Sequence, residues 1–274
     1  MNYDKHFNAD IPEDQYVTNT RIPIARVMER LDALTGRLAY EEALCHLEYW
    51  IRDARAAGDL RGQFTLQCEK MGVCRKMGDR KGAMESADAA LSLIPSLGIE
   101  HTASAGTAYV NAGTVSVFCG EPEKALGHFE KAEKIYLECL PAGDARLGGL
   151  YNNMGLALKD LGRCEQAIAL YRKALDVMAL QPGGRLEQAI TYLNMADAAA
   201  LARGQEAAEA EIAEDLEKAE QLLMNPQAPE NSYYAFVCEK CAPVFSYYGW
   251  FACAAELTKR AERIRKGQEG KEQI

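Results

Sequence analysis

No stretch of this sequence stays apolar for the ~20 residues that a membrane-spanning helix needs; apolar runs such as that around Ala198 to Ala202 are far shorter. The opening segment, Met1 to Asp10, is polar and mixed in charge and lacks the apolar core of a secretory leader, so the sequence reads as cytoplasmic. Basic charge is also short. Lys and Arg number 31 against 40 Asp and Glu, the formal charge is −9, and no run of cations makes a stripe, which excludes a nucleic-acid partner on electrostatic grounds. Proline is sparse, at 9 residues, while 48% of the chain is hydrophobic and 26% charged, a composition that excludes disorder outside the ends. Cysteine is present, nine times, but without the paired spacings of a disulfide framework, and an odd number suits reduced thiols used as small apolar residues.

Catalytic signatures are missing as well. There is no G-x-x-x-x-G-K-[ST] loop and no strand-bounded G-x-G-x-x-G. The histidines, His6, His46, His101 and His128, show no i, i+4 pairing, and Cys238-x2-Cys241 has no second pair at zinc spacing, so it reads as helix packing. The many acidic residues read as solvated helix faces. These absences predict no catalytic residue, no metal site and no cofactor, hence a protein that is not an enzyme.

What the chain does contain is a repeat. At 274 residues it exceeds the usual limit of one hydrophobic core, so it should be two domains or a stack of units. Tyr109-x2-Ala112-Gly113 followed by Ala125-x3-Phe129-x2-Ala132 recurs 42 residues on as Tyr151-x2-Met154-Gly155 followed by Ala167-x3-Tyr171-x2-Ala174. Looser copies place Met71 and Ala242 in the Gly slot, 12 residues before Ala83 and Ala254, and a weaker copy opens at Leu31 with Ala43. In four units a glycine stands five residues before the Ala: Gly78, Gly120, Gly162 and Gly249. A glycine just past a helix end supplies positive φ, so each unit reads as helix, tight turn, helix.

Turn chemistry agrees, with Asp79 as a capping residue and Pro122 at a first helical position. The fifth unit is irregular: Ala196 fills the Gly slot, Ile212, Leu216 and Ala219 carry the second helix, and the separation of 16 implies about four inserted residues near Gly204 to Glu209. Segments around Pro95 to Glu100, Pro141 to Ala145 and Gln181 to Gly184 read as connecting loops.

These residues resemble the tetratricopeptide repeat family, and the 42-residue spacing with tandem Asn152-Asn153 is similar to the longer-helix repeats of kinesin light chains. The resemblance implies an all-α, right-handed superhelical solenoid of about six helix-turn-helix repeats. The units fall near 22–60, 61–100, 101–142, 143–184, 185–228 and 229–265, between an arm at 1–21 and a polar tail at 266–274. It also implies a concave groove, lined by the first helices, that holds a protein or peptide segment: a non-enzymatic scaffold or adaptor. A regulatory sensor for a small signalling peptide, or an enzyme built on an α-solenoid, are the rival readings.

Within the first helices, the position two before the Gly slot reads Glu29, Glu69, Asn111, Asn153, Asn194 and Lys240. Asparagine is a mediocre helix former, and its amide can pair with any peptide group, so Asn111, Asn153 and Asn194, with the adjacent Asn152, are candidate ligand-binding residues. Phe118, Lys159, Arg75 and Lys240 join them on the groove, with no cationic cluster dense enough to clamp a terminal carboxylate. The last unit is rich in aromatics. Tyr234, Val237, Cys241, Phe245 and Tyr248 form a core stripe, while Phe236, Lys240, Pro243 and Tyr247 form a second stripe that points to the groove or to a homodimer contact.

Overall fold

The computed structural model describes residues 21–225 and 231–272. Most of the N-terminal arm and the last two residues of the tail lie outside the described residues. The described residues form twelve α-helices in six pairs: α1 (Ile24–Gly36) with α2 (Tyr40–Ala56), α3 (Leu60–Lys76) with α4 (Arg80–Leu97), and α5 (Ala103–Cys119) with α6 (Pro122–Cys139). Then come α7 (Ala145–Asp160) with α8 (Cys164–Ala179), α9 (Arg185–Arg203) with α10 (Glu209–Leu223), and α11 (Ser232–Tyr247) with α12 (Phe251–Glu272). The chain divides into two compact units, one ending at Asp144 and the other beginning at Ala145.

Inside each unit the same packing recurs. The Gly slot brings the paired helices together: a Cβ on Gly113 would overlap the Phe129 ring, and one on Gly155 would overlap the Tyr171 ring. Two turns earlier, Gly106 faces Tyr136 and Gly148 faces Met178 in the same way. The small residues of the second helices, Ala83 and Ala90, Ala125 and Ala132, Ala167 and Ala174, are fully buried against these contacts. Successive pairs stack chiefly by packing the second helix of one pair on the first helix of the next, α2 on α3 and α4 on α5 in one unit and α8 on α9 in the other, with lighter contacts between first helices, α3 on α5, α7 on α9 and α9 on α11.

The tyrosine that opens each motif has a role of its own. Lys131 lies over the Tyr109 ring at 5.5 Å, Lys173 over Tyr151 at 5.3 Å and Lys218 over Tyr192 at 5.3 Å, a cation–π contact from second helix to first. The sequence separation is 22 in the first two cases and 26 in the third, which is the four-residue insertion of the fifth unit seen from the other side. That insertion lies between Gly204 and Ala208, after α9 and before α10.

The tight turns follow the expected chemistry. Gly78, Gly120, Gly162 and Gly249 all have positive φ, Asp79 accepts from the Gly82 N–H at 2.9 Å, and Pro122 stands at the start of α6. In the first pair the same place, two residues before the second helix, is taken by Leu38 at φ 61°, the one non-glycine residue with positive φ among the described residues. Pro95 departs from expectation. It lies inside the last turn of α4, which ends at Leu97 with Gly98 in the left-handed region. The fully packed Ile94 beside it holds that turn against the loss of one backbone hydrogen bond.

Candidate functional site

Two residues along a helix turn the side chain by roughly 200°, so the column before the Gly slot must face away from the paired helix. The slot residues Leu31, Met71, Gly113, Gly155, Ala196 and Ala242 are all buried, and none of Glu29, Glu69, Asn111, Asn153, Asn194 and Lys240 is. The amides of Asn111, Asn153 and Asn194 are half-buried and make no hydrogen bond among the described residues. They present donors and an acceptor outward from rigid helices.

In the unit ending at Asp144, Asn111 and Arg75 come together. They line one recess with Thr35, Glu69, Lys76 and Thr114, contributed by α1, α3 and α5. Thr114 donates to the Val110 carbonyl at 3.0 Å, so its hydroxyl proton is already used within the helix. Phe118 stands two turns beyond Asn111, half-buried, with the Arg80 guanidinium over its ring at 5.7 Å.

In the unit beginning at Ala145, Lys159, Asn194 and Lys240 stand on α7, α9 and α11. The Lys159 ammonium lies 3.8 Å from one oxygen of Asp197, and the Tyr248 hydroxyl donates to the other at 3.0 Å. Burial, with the Asp197 charge adding to it, pushes the Tyr248 phenol up, so the hydroxyl remains a donor. Lys240 is exposed, yet the protein mass around it desolvates its ammonium and lowers its pKa, and repulsion from Lys159 works in the same direction. Asp197 thus serves as the counter-charge of Lys159. Tyr247 extends the face outward, 72% exposed and edge-on to the Tyr248 ring at 4.9 Å.

This arrangement can be set against known proteins. No curated protein matches the sequence. Residues 146–219, which span α7 to most of α10, match the family model for the tetratricopeptide repeat. Those residues are tetratricopeptide repeats. The solved structure of BtubC from P. vanneervenii is 20% identical over 85% of this chain and 93% of that one, with a TM-score of 0.58. A putative kinesin light chain from Podosopora anserina is 15% identical over 74% of this chain and 94% of that one, with a TM-score of 0.52. A Rap protein solved with Competence and Sporulation Factor is 14% identical over 97% of this chain and 80% of that one, with a TM-score of 0.51. At such identities the likeness is one of fold.

Within the tetratricopeptide repeats one candidate must be corrected. Asn152 is 9% exposed and does not reach the open face; its amide donates to the Thr191 hydroxyl at 2.8 Å and its carbonyl accepts from the same hydroxyl at 3.1 Å. The single proton of that hydroxyl is shared between the Asn152 carbonyl and the Glu187 carbonyl, 2.7 Å away, and in either arrangement Asn152 ties α7 to α9 instead of serving a ligand. The tandem asparagines therefore divide the work, one to the stack and one to the open face. Sequence reasoning placed Tyr248 in the core stripe, whereas its ring is half-buried and its hydroxyl holds Asp197. The available signal was the spacing of Asp197, one turn after Asn194 on the same face. A parallel contact, Tyr233 donating to Glu187 at 2.6 Å, joins the other ends of α9 and α11.

Of chemistry beyond binding the described residues offer little: no group of three or more His, Cys, Asp or Glu is placed to hold a metal, and no helix is long and apolar enough to cross a membrane. All nine cysteines are free thiols, and burial pushes those of Cys74 and Cys238 up to about 11 and those of Cys241 and Cys253 up to about 12, so none of these four is poised as a nucleophile.

Proposed function

We propose that the protein is a non-enzymatic adaptor of the cytoplasm that holds an extended segment of a partner protein against the first helices of its repeats, with Asn153 and Asn194 gripping the ligand main chain and Asn111 doing the same in the other unit. The observation that carries this reading is the contrast between Asn152, whose amide is satisfied inside the stack, and its neighbour Asn153, whose amide is satisfied by nothing among the described residues. Donors held out by a rigid helix pair with peptide groups of any sequence, while Lys159, Lys240 and Tyr247 select for side chains. The fold shared with a Rap protein solved with Competence and Sporulation Factor supports short peptides as the first ligands to try, and keeps a peptide sensor as the second reading.

The test is selection of binding peptides from a random displayed library, followed by titration of the wild type and of Asn153→Ala/Asn194→Ala. Each amide bond contributes about 0.5 to 1.5 kcal/mol, so the double change should weaken the selected peptides by about 5-fold to 150-fold with the helical spectrum unchanged. Selected peptides that bind the double variant at full affinity would remove the asparagine faces from the site.

A further inference from the structure

The four-residue insertion and the second tryptophan, both irregular within the repeat pattern, meet at one place. The turn that follows α9 and the turn that precedes α12 enclose a recess of about 360 Å³, within the size range of ligand sites. Its floor is apolar, made by Ile212 and Leu216 of α10 with the rings of Tyr248 and Trp250, and its rim carries Glu206 and Glu209. Trp250 packs against Phe245, ring centroids 6.0 Å apart and planes tilted by 45°. It occupies the turn residue where the second repeat has the capping Asp79, a place where tryptophan brings no capping bond.

The charge in this recess is of one sign. No Lys or Arg lines it, and neither Glu206 nor Glu209 has an ion-pair partner among the described residues. Arg203, the last residue of α9 before this turn, is held elsewhere, 2.8 Å from Glu211 and 3.4 Å from Glu165. Glu209 opens α10, and acids are favoured at a helix start, but the N-terminal dipole amounts to about half a positive charge against two carboxylates. A net negative rim over an apolar floor complements one chemistry: a cation on an apolar stem, whose charge meets the carboxylates while its methylenes lie along the partly exposed rings of Tyr248 and Trp250.

We propose that this recess receives the side chain of an arginine or lysine presented by a bound protein, with Trp250 as the platform and Glu206 and Glu209 as the counter-charges. The site is built from the two turns and α10 and uses none of the asparagines; Tyr248, whose ring lines it and whose hydroxyl holds Asp197, borders both.

The test uses the full chain and N-acetyl-arginine amide as the probe, followed through the two tryptophan indole N–H resonances. Trp250 should shift saturably with a dissociation constant on the order of 1 mM while Trp50, in the other unit, stays in place. N-acetyl-norleucine amide, of similar stem but no charge, should leave Trp250 unmoved. Glu206→Gln/Glu209→Gln should weaken the arginine probe at least five-fold with the rest of the amide spectrum preserved, and Glu206→Gln alone should give an intermediate loss. Asn153→Ala/Asn194→Ala should bind the probe like the wild type. An equal response to the norleucine probe, an unsaturable shift, or full affinity in the double glutamate variant would each overturn the assignment.

Discussion

Tyr171 and Phe129 hold the same place in successive repeats, 42 residues apart, and both rings close on a glycine of the first helix. Only the hydroxyl differs. That of Tyr171 is buried with no hydrogen-bond partner among the described residues, and burial drives its pKa upward. An unsatisfied buried hydroxyl costs ~1–3 kcal/mol, so Tyr171→Phe, which copies the neighbouring repeat, should raise stability by about 1 kcal/mol and the melting temperature by a few degrees. Calorimetry on the two proteins checks it, and a fall in melting temperature would mean that the hydroxyl is satisfied in solution. Asp215 is a stronger case of the same kind. It is 3% exposed, one oxygen is without a partner, and burial lifts its carboxyl to about 7, opposed mainly by Lys218 and aided by Glu211 and Glu214. Because the folded pKa is raised above the ordinary carboxylate value, the group's contribution to stability is complete below pH ~4 and is lost as pH rises towards 7. Asp215→Asn should therefore match the wild type near pH 4 and exceed it at pH 8, by ~1–3 kcal/mol. Denaturant melts across that range would show a flat difference if the carboxyl is solvated after all.

The helix pair is where the sequence was most readable, and its glycines divide into two kinds with different failure modes. Gly155 stands mid-helix with ordinary φ, and a methyl group there runs into the Tyr171 ring, an overpacking that costs about 1–3 kcal/mol in Gly155→Ala. Gly162 has open space around its Cα but φ of +73°, so Gly162→Ala should cost ~1–2 kcal/mol through backbone strain alone. The two are separable by rescue: Tyr171→Leu, which makes room, should recover part of the first loss and none of the second. Both kinds were legible because they recur at fixed spacing, as were the buried Ala pairs and the insertion before α10. Leu38 was not legible, since nothing in its residue type marks the left-handed conformation that it shares with the turn glycines. Asn152 was misread for a related reason: adjacent asparagines look alike in sequence, and only the geometry of α9 shows that one of them meets Thr191.

At the scale of the whole molecule the repeat pattern runs on without a break at residue 144, whereas the chain divides there into two compact units, each with its own buried residues. A 42-residue periodicity carries no sign of such a division, because Gly113 and Gly155 fall in different units and repeat the same contact. In a stack where each repeat touches chiefly its neighbours, opening is local, and a defect lowers protection first in the elements packed on it. Equivalent substitutions should thus have separable effects. Gly113→Ala strikes Phe129, and it should speed amide exchange in α3 to α6 while α9 to α12 keep wild-type rates. Gly155→Ala strikes Tyr171, and it should speed exchange in α7 to α10 while α1 to α4 are unchanged. Hydrogen exchange read by mass spectrometry at moderate denaturant resolves the two patterns peptide by peptide. An equal acceleration along the entire chain from either substitution would mean that all six helix pairs open as one cooperative body, and the division at Asp144 would then have no energetic meaning.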